Sequence, residues 1–195
     1  MILIRNLLLS ALVAAGISVS AWRIGVRQSR LALNSDEVHF PTVSGFNLDR
    51  QELEFPRDFA GSLNLLFVPF LQHQQFTVNT WIPFAQEIEA TVPGFVYYEL
   101  PTINEMSMLS RTFINEGMRA GIPDQTARER TVTLYIDLPK FMRATGIPDN
   151  RSVHILLVDR AGQILWRTTG KFTPEKGEEL LQALAAHNAV RLAAK

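Results

Sequence analysis

Residues 153–167 read Val153-His154-Ile155-Leu156-Leu157-Val158-Asp159-Arg160-Ala161-Gly162-Gln163-Ile164-Leu165-Trp166-Arg167. The apolar run 153–159 has the length and composition of a strand, Arg160-Ala161-Gly162 makes a tight turn, and 163–167 returns as its antiparallel neighbour. Beyond this hairpin a helix is expected over 174–187, packing through Leu180, Leu181, Leu184 and Ala185.

Working back from the hairpin, Leu63-Asn64-Leu65-Leu66-Phe67-Val68-Pro69 is a short, nearly continuous apolar run, as expected of a central strand covered on both faces. It follows 39–61, where Phe40, Val43, Phe46, Leu48, Leu53 and Phe55 alternate with Gly45, Asn47 and Asp49-Arg50 in the manner of a small hairpin. Residues 76–90 carry Val78, Trp81, Ile82, Ala85 and Ile88 at helical spacing, with Pro83 inside the pattern. An interior proline removes a backbone hydrogen bond and kinks a helix, at about 3 kcal/mol. A second strand is expected at 94–100, where alternation turns one of Tyr97 and Tyr98 outward. A helix follows over 104–119, with Met108, Leu109, Phe113, Ile114 and Met118 as its apolar positions, read as a core face with a partner-binding face as the alternative, and Gly121-Ile122-Pro123-Asp124 ends it. A third strand at 131–136 and a short helix at 138–145, stopped by Gly146, complete the run. Strand, helix, strand, then hairpin and helix make an α/β sandwich with a central mixed sheet flanked by helices. No internal repeat or low-complexity segment is present.

Here the order of elements resembles thioredoxin-like proteins of the peroxiredoxin and membrane-anchored oxidoreductase kind. Residues 40–68 resemble their N-terminal hairpin and first core strand, and 153–167 their final hairpin. Pro83, followed by Phe84-Ala85-Gln86-Glu87-Ile88, resembles the kink of their active-site helix. The resemblance supplies a register. In thioredoxins that proline lies five positions after the second cysteine of a Cys-x-x-Cys pair, which places the pair at Gln75 and Val78. The tetrad is Gln75-Phe76-Thr77-Val78, and the whole chain has no cysteine. A glutamine and a valine cannot form a thiolate, so thiol–disulfide exchange is excluded.

A narrower resemblance covers nearly the whole domain, to the mitochondrial ATP synthase assembly factors of the tenth-complementation-group type. It rests on Trp81-x-Pro83-Phe84, the long segment 101–150 that reads as an insertion between core strands, Asn150 followed by Val153-x-Ile155-x-Leu157-Val158-Asp159, Gly162-x-Ile164-x-Trp166, and Gly170. It implies a non-catalytic binding protein, an assembly factor or chaperone for a membrane complex such as the proton-translocating ATP synthase. The partner would be a membrane-protein subunit or assembly intermediate. The candidate contacts are His73, Gln74, Gln75, Phe76, Trp81 and Asn150, around the vanished cysteine site; Trp81, at core-like spacing, also reads as a packing residue, and Gln74 and Gln75 as polar groups satisfying helix N-terminal amides. The alternative is an enzyme or small-ligand carrier using the same groove without thiol chemistry.

The N-terminus points to a membrane. Arg5 precedes the apolar run 7–15, Val19-Ser20-Ala21 offers small residues for cleavage, and Arg23, Arg27 and Arg30 follow. A cleaved signal, an uncleaved anchor and a buried amphipathic helix all fit residues 1–22. Residues 23–38 read as a linker and 39–190 as the thioredoxin-like domain. The expected location is the cell envelope, membrane-anchored or periplasmic, or the mitochondrial inner membrane in a eukaryote.

Other chemistries lack their residues. Without cysteine there is no disulfide, thiolate zinc site or iron–sulfur cluster. Lys and Arg number 19 against 19 Asp and Glu, with no basic run, so a nucleic-acid footprint is not expected. His39, His73, His154 and His187 fall in separate segments without metal-ligand spacing. No Gly-x-Ser-x-Gly elbow or phosphate-cradling glycine loop occurs, and no cofactor is implied.

Overall fold

The apolar run 63–68 is buried at every position because its two sets of alternating side chains feed two separate cores. The computed structural model describes residues 38–193, and the N-terminal segment read above as a signal, anchor or amphipathic helix lies outside them. In chain order the elements are β1 (Val43–Asn47), β2 (Glu52–Phe55), β3 (Leu63–Val68), a 3-10 turn (Gln72–Gln74), α1 (Gln75–Val78), α2 (Ile82–Thr91), β4 (Phe95–Glu99) and β5 (Thr102–Asn104). Then come α3 (Met108–Gly121), α4 (Gln125–Arg130), β6 (Val132–Ile136), α5 (Leu138–Thr145), β7 (His154–Asp159), β8 (Ile164–Thr169) and α6 (Pro174–Ala193).

β3 is central, parallel to β4 and antiparallel to β7, with β8 beyond β7, so this sheet runs β4-β3-β7-β8. A second sheet runs β2-β1-β6-β5. The two meet where β4 continues into β5: Leu100 N donates to Phe67 O, Thr102 N to Pro69 O, and Glu99 bridges Thr131. On one face Leu66, Val68, Tyr98, Leu156 and Val158 pack with Phe40, Phe55, Phe59 and Phe141. On the other, Leu63, Leu65, Phe67, Tyr97, Ile155 and Leu157 pack under Val78, Trp81, Ala85 and Ile88 and under Leu180 and Leu184 of α6. Tyr97 and Tyr98 therefore point to opposite faces and both are buried, because both faces are covered. The expectation of one outward tyrosine is corrected by that second layer. On α6, Leu180 and Leu184 are buried while Leu181 and Ala185 face outward, a narrower apolar stripe than the spacing suggests.

The helix expected over 76–90 is two helices. α1 ends at Val78, and α2 begins at Ile82 with Pro83 in its first turn. In that turn the missing N–H removes no intrahelical bond, and the ring's fixed φ suits helix entry. Proline here starts a helix rather than kinking one.

The region 101–150 contains β5, α3, α4, β6 and α5. β5 has no counterpart in the sequence expectations: Thr102–Asn104 pair in parallel with Leu134–Ile136, a partner more than thirty residues away. α3 is capped by Ser107, whose Oγ accepts from Ser110 N, and α4 by Asp124, which accepts from Ala127 N at 2.7 Å. The core face expected for α3 is overturned: no residue of it is buried, and Met108, Leu109 and Phe113 are 82%, 85% and 82% exposed. Its inner side rests on polar contacts instead, with Tyr135 Oη donating to Asn115 Oδ1 at 2.9 Å and the Arg111 guanidinium lying over the Tyr135 ring.

Candidate functional site

The chain leaves β3 at Val68, crosses 69–71, and enters α1 at Gln75. Gln74 organises this crossing. Its Oε1 accepts from Phe70 N at 2.7 Å and Leu71 N at 3.4 Å, and its Nε2 donates to Asn150 O at 2.9 Å. One buried amide thus satisfies two loop N–H groups and ties this loop to the segment before β7. His154, at the start of β7, supports the same junction: Nε2 lies 2.9 Å from Asp149 O and the ring meets Phe70 edge-on. Burial holds its pKa below the ordinary histidine value.

Behind the loop stands one buried carboxyl. Glu99, at the end of β4, is 8% exposed, and Gln75 Nε2 donates to its Oε2 at 2.7 Å and to Asn79 Oδ1 at 3.0 Å. Burial pushes the Glu99 pKa up, and the Gln75 hydrogen bond opposes that only in part. Sequence reasoning misses Glu99, although a charged residue closing the apolar strand Phe95-Val96-Tyr97-Tyr98 is a signal available there.

A pH dependence follows. With its folded pKa raised, Glu99 binds a proton more tightly in the native state than in the unfolded chain. Its contribution to stability is complete below the ordinary glutamate pKa and is lost as pH rises through the raised folded value. Glu99→Gln is expected to be more stable than the natural chain at neutral pH, with a flatter profile from mildly acid to neutral conditions. Urea midpoints across that range check this, and parallel profiles for the two chains would refute it.

The sequence-predicted contacts separate into two groups. His73 and Asn150 are exposed, Gln75 is half-buried, and Phe76 is 76% exposed. With exposed Leu71 they surround the loop. Gln74 and Trp81 are corrections. Gln74 is buried with both amide ends engaged internally, and Trp81 has no exposed surface. Trp81 Nε1 donates to Gly170 O at 2.9 Å, and its ring meets Phe172 and Trp166 edge-on at centroid distances of 5.1 and 6.4 Å. Val78, the last position of the tetrad, is also fully buried. Among the described residues no group of three or more His, Cys, Asp or Glu is arranged to hold a metal ion. What the arrangement offers is a half-polar, half-apolar surface over a buried carboxyl, with no nucleophilic sulfur.

No family model matches this chain, and no curated protein matches it in sequence. Solved structures do. A putative electron transfer protein from Aquifex aeolicus VF5 superposes with a TM-score of 0.55 at 11% identity, over 76% of this chain and 95% of that one. The exposed lipoprotein thioredoxin of Streptococcus pneumoniae strain TIGR4 gives a TM-score of 0.50 at 12% identity, over 75% of this chain and 99% of the other. At such identities the likeness carries the fold alone: this chain has a thioredoxin-like α/β fold, and with no cysteine anywhere in its sequence it has no thiol for disulfide exchange.

Proposed function

We propose that this protein is a non-catalytic binding protein that works at a membrane, as an assembly factor or chaperone for a membrane complex such as the proton-translocating ATP synthase. The observation that carries the reading is the state of the loop end of the fold. Where the resemblance places thiols there is a glutamine bonded to a buried carboxyl and a valine in the core, while Phe76 and Leu71 stand exposed beside His73 and Asn150. An exposed aromatic with polar neighbours on a well-packed scaffold suits a protein contact better than a reaction. The apolar run 7–15 and its flanking arginines support a location in the cell envelope, or at the mitochondrial inner membrane in a eukaryote.

The test is affinity capture of the tagged full-length chain from gently solubilised membranes, natural sequence against Phe76→Asp. Phe76 is so exposed that the change is expected to alter stability by no more than about 0.5 kcal/mol. Loss of co-purifying membrane-complex subunits from the variant is the expected result. Identical recoveries, or none from either chain, would remove the support for this reading. A second reading, a small-ligand carrier or non-thiol enzyme at the same end, is favoured by the buried Glu99 alone. It would require Glu99→Gln, and not Phe76→Asp, to abolish activity.

A further inference from the structure

Helix α3 presents an apolar ridge that nothing in the described fold covers. Leu109 and Phe113 lie one turn apart on its outer side, beside Met108 at its start, and all three are more than four-fifths exposed. Along one flank of the ridge, between α3 and the outer faces of β1 and β6, lies a cavity of about 340 Å³. Phe46, Leu48 and Met108 give it apolar walls, and Arg50, Arg111 and Arg119 line it. The acidic group in that lining is Glu116, which Arg50 engages at 2.9 Å. The lining therefore carries two more positive charges than negative. Arg111 is oriented by Met106 O, which accepts from its Nε at 2.8 Å.

We propose that α3 rests on the surface of an anionic phospholipid bilayer, with Met108, Leu109 and Phe113 in the acyl–headgroup boundary and Arg50 and Arg119 on its flank facing lipid phosphates, while Arg111, turned in over Tyr135, adds to the positive potential behind them. Bulky apolar side chains on the outer side of a helix and arginines on its flank are the two features interfacial helices combine. Lipid suits both better than a soluble partner does. The arginines complement a phosphate layer, and the apolar 7–15 segment supplies an independent route to the same membrane. Glu116 does not oppose contact, because its charge is already matched by Arg50. The inference rests on the membrane placement in the proposed function but needs no protein partner, so failure to capture subunits and failure to meet lipid are separate results.

The absence of native cysteine allows a site-specific test on the full-length chain. Gly117 lies on α3, and a Cβ added there meets nothing within 4 Å. Gly117→Cys can therefore carry an environment-sensitive fluorophore while Leu109 and Phe113 stay in place. Gln182→Cys, exposed on α6, is the control. The probe is vesicles of phosphatidylcholine alone, or mixed with an equal amount of phosphatidylglycerol. A blue shift at position 117 and none at 182 is expected on the mixed vesicles. Apparent affinity should be roughly fivefold or more above that for neutral vesicles, as the one unpaired arginine on the flank among the described residues, Arg119, implies. Leu109→Ser with Phe113→Ser should abolish the shift, and Arg119→Gln should lower the preference for anionic lipid. The proposal is overturned if position 117 stays in water on mixed vesicles, if neutral vesicles shift it equally, or if 182 shifts in step. A shift that grows with protein concentration without lipid would also overturn it, assigning the ridge to a second copy of the chain.

Discussion

A chain carrying Gln75→Cys and Val78→Cys is expected to form an intrachain disulfide and to reduce insulin disulfides, a reaction the natural chain cannot perform. The two positions lie one turn apart at the ends of α1. That spacing brings Cα atoms within the separation a disulfide spans. Their environments differ as an attacking and a resolving thiol require. Position 75 is half-exposed where the loop enters the helix, and position 78 is fully buried behind it. Cysteines in a Cys-x-x-Cys arrangement have thiol pKa values below that of free cysteine. The buried Glu99, bonded in the natural chain to the Gln75 amide, would be the carboxyl facing a thiol at 75 across the space the longer glutamine leaves.

The measurements are mass spectrometry before and after reduction, the rate of alkylation of each thiol, and insulin turnover with an external reductant. In the reduced form the thiol at position 75 should alkylate rapidly and the one at position 78 slowly, and activity should rise from background to a measurable rate. Gln75→Cys alone should alkylate without turning over. If no disulfide forms in a folded double variant, the register counted from Pro83 is wrong, and the loop end is not the counterpart of a thioredoxin active site.

The register rests on Pro83, a strong local marker whose structural effect its spacing does not reveal. A proline inside an apolar period of helical spacing looks like a kink, and only the position of Trp81 outside either helix shows that the chain breaks and restarts. The two cores are directly legible: a run such as 63–68 has no polar face, so it needs cover on both sides. What cannot be read depends on long-range pairing. Gln74 looks like any polar residue in a polar loop until the 149–153 segment arrives beside it. Arg50 and Arg119 share a cavity only because the β1–β2 turn is carried up against α3. The spacing of Met108, Leu109 and Phe113 marks a helix face correctly and cannot say whether that face meets a core or the outside. Here Tyr135 and Asn115 occupy the contact a core would have needed.

Trp81→Ala is expected to destabilise the fold by about 3–5 kcal/mol, far more than any change among the exposed loop residues. The side chain is fully buried among Phe67, Phe172 and Trp166, so its removal leaves a cavity that rigid strand and helix backbones cannot close. It also takes the donor from Gly170 O. Segment 170–172 is held to the α1–α2 break by that bond and by Phe172 N, which donates to Thr80 Oγ1 at 3.0 Å, so the entry to α6 loosens with it. For a chain of this size each kcal/mol lowers the melting temperature by about 2–4 °C, which makes the expected drop roughly 10 °C. Trp81→Phe separates the causes: it keeps most of the packing and loses the hydrogen bond, and should fall by about 1–3 kcal/mol. Equal losses for Phe and Ala would assign most of the effect to the Gly170 bond. A melting temperature unchanged in Trp81→Ala would contradict burial of this residue and reopen Trp81 as a surface contact. The expected ordering, Ala well below Phe and Phe below the natural chain, would mean that the break after Val78 serves to place one tryptophan at the junction of α1, α2 and α6. The loop's exposed side chains would then be free to vary without cost to the fold.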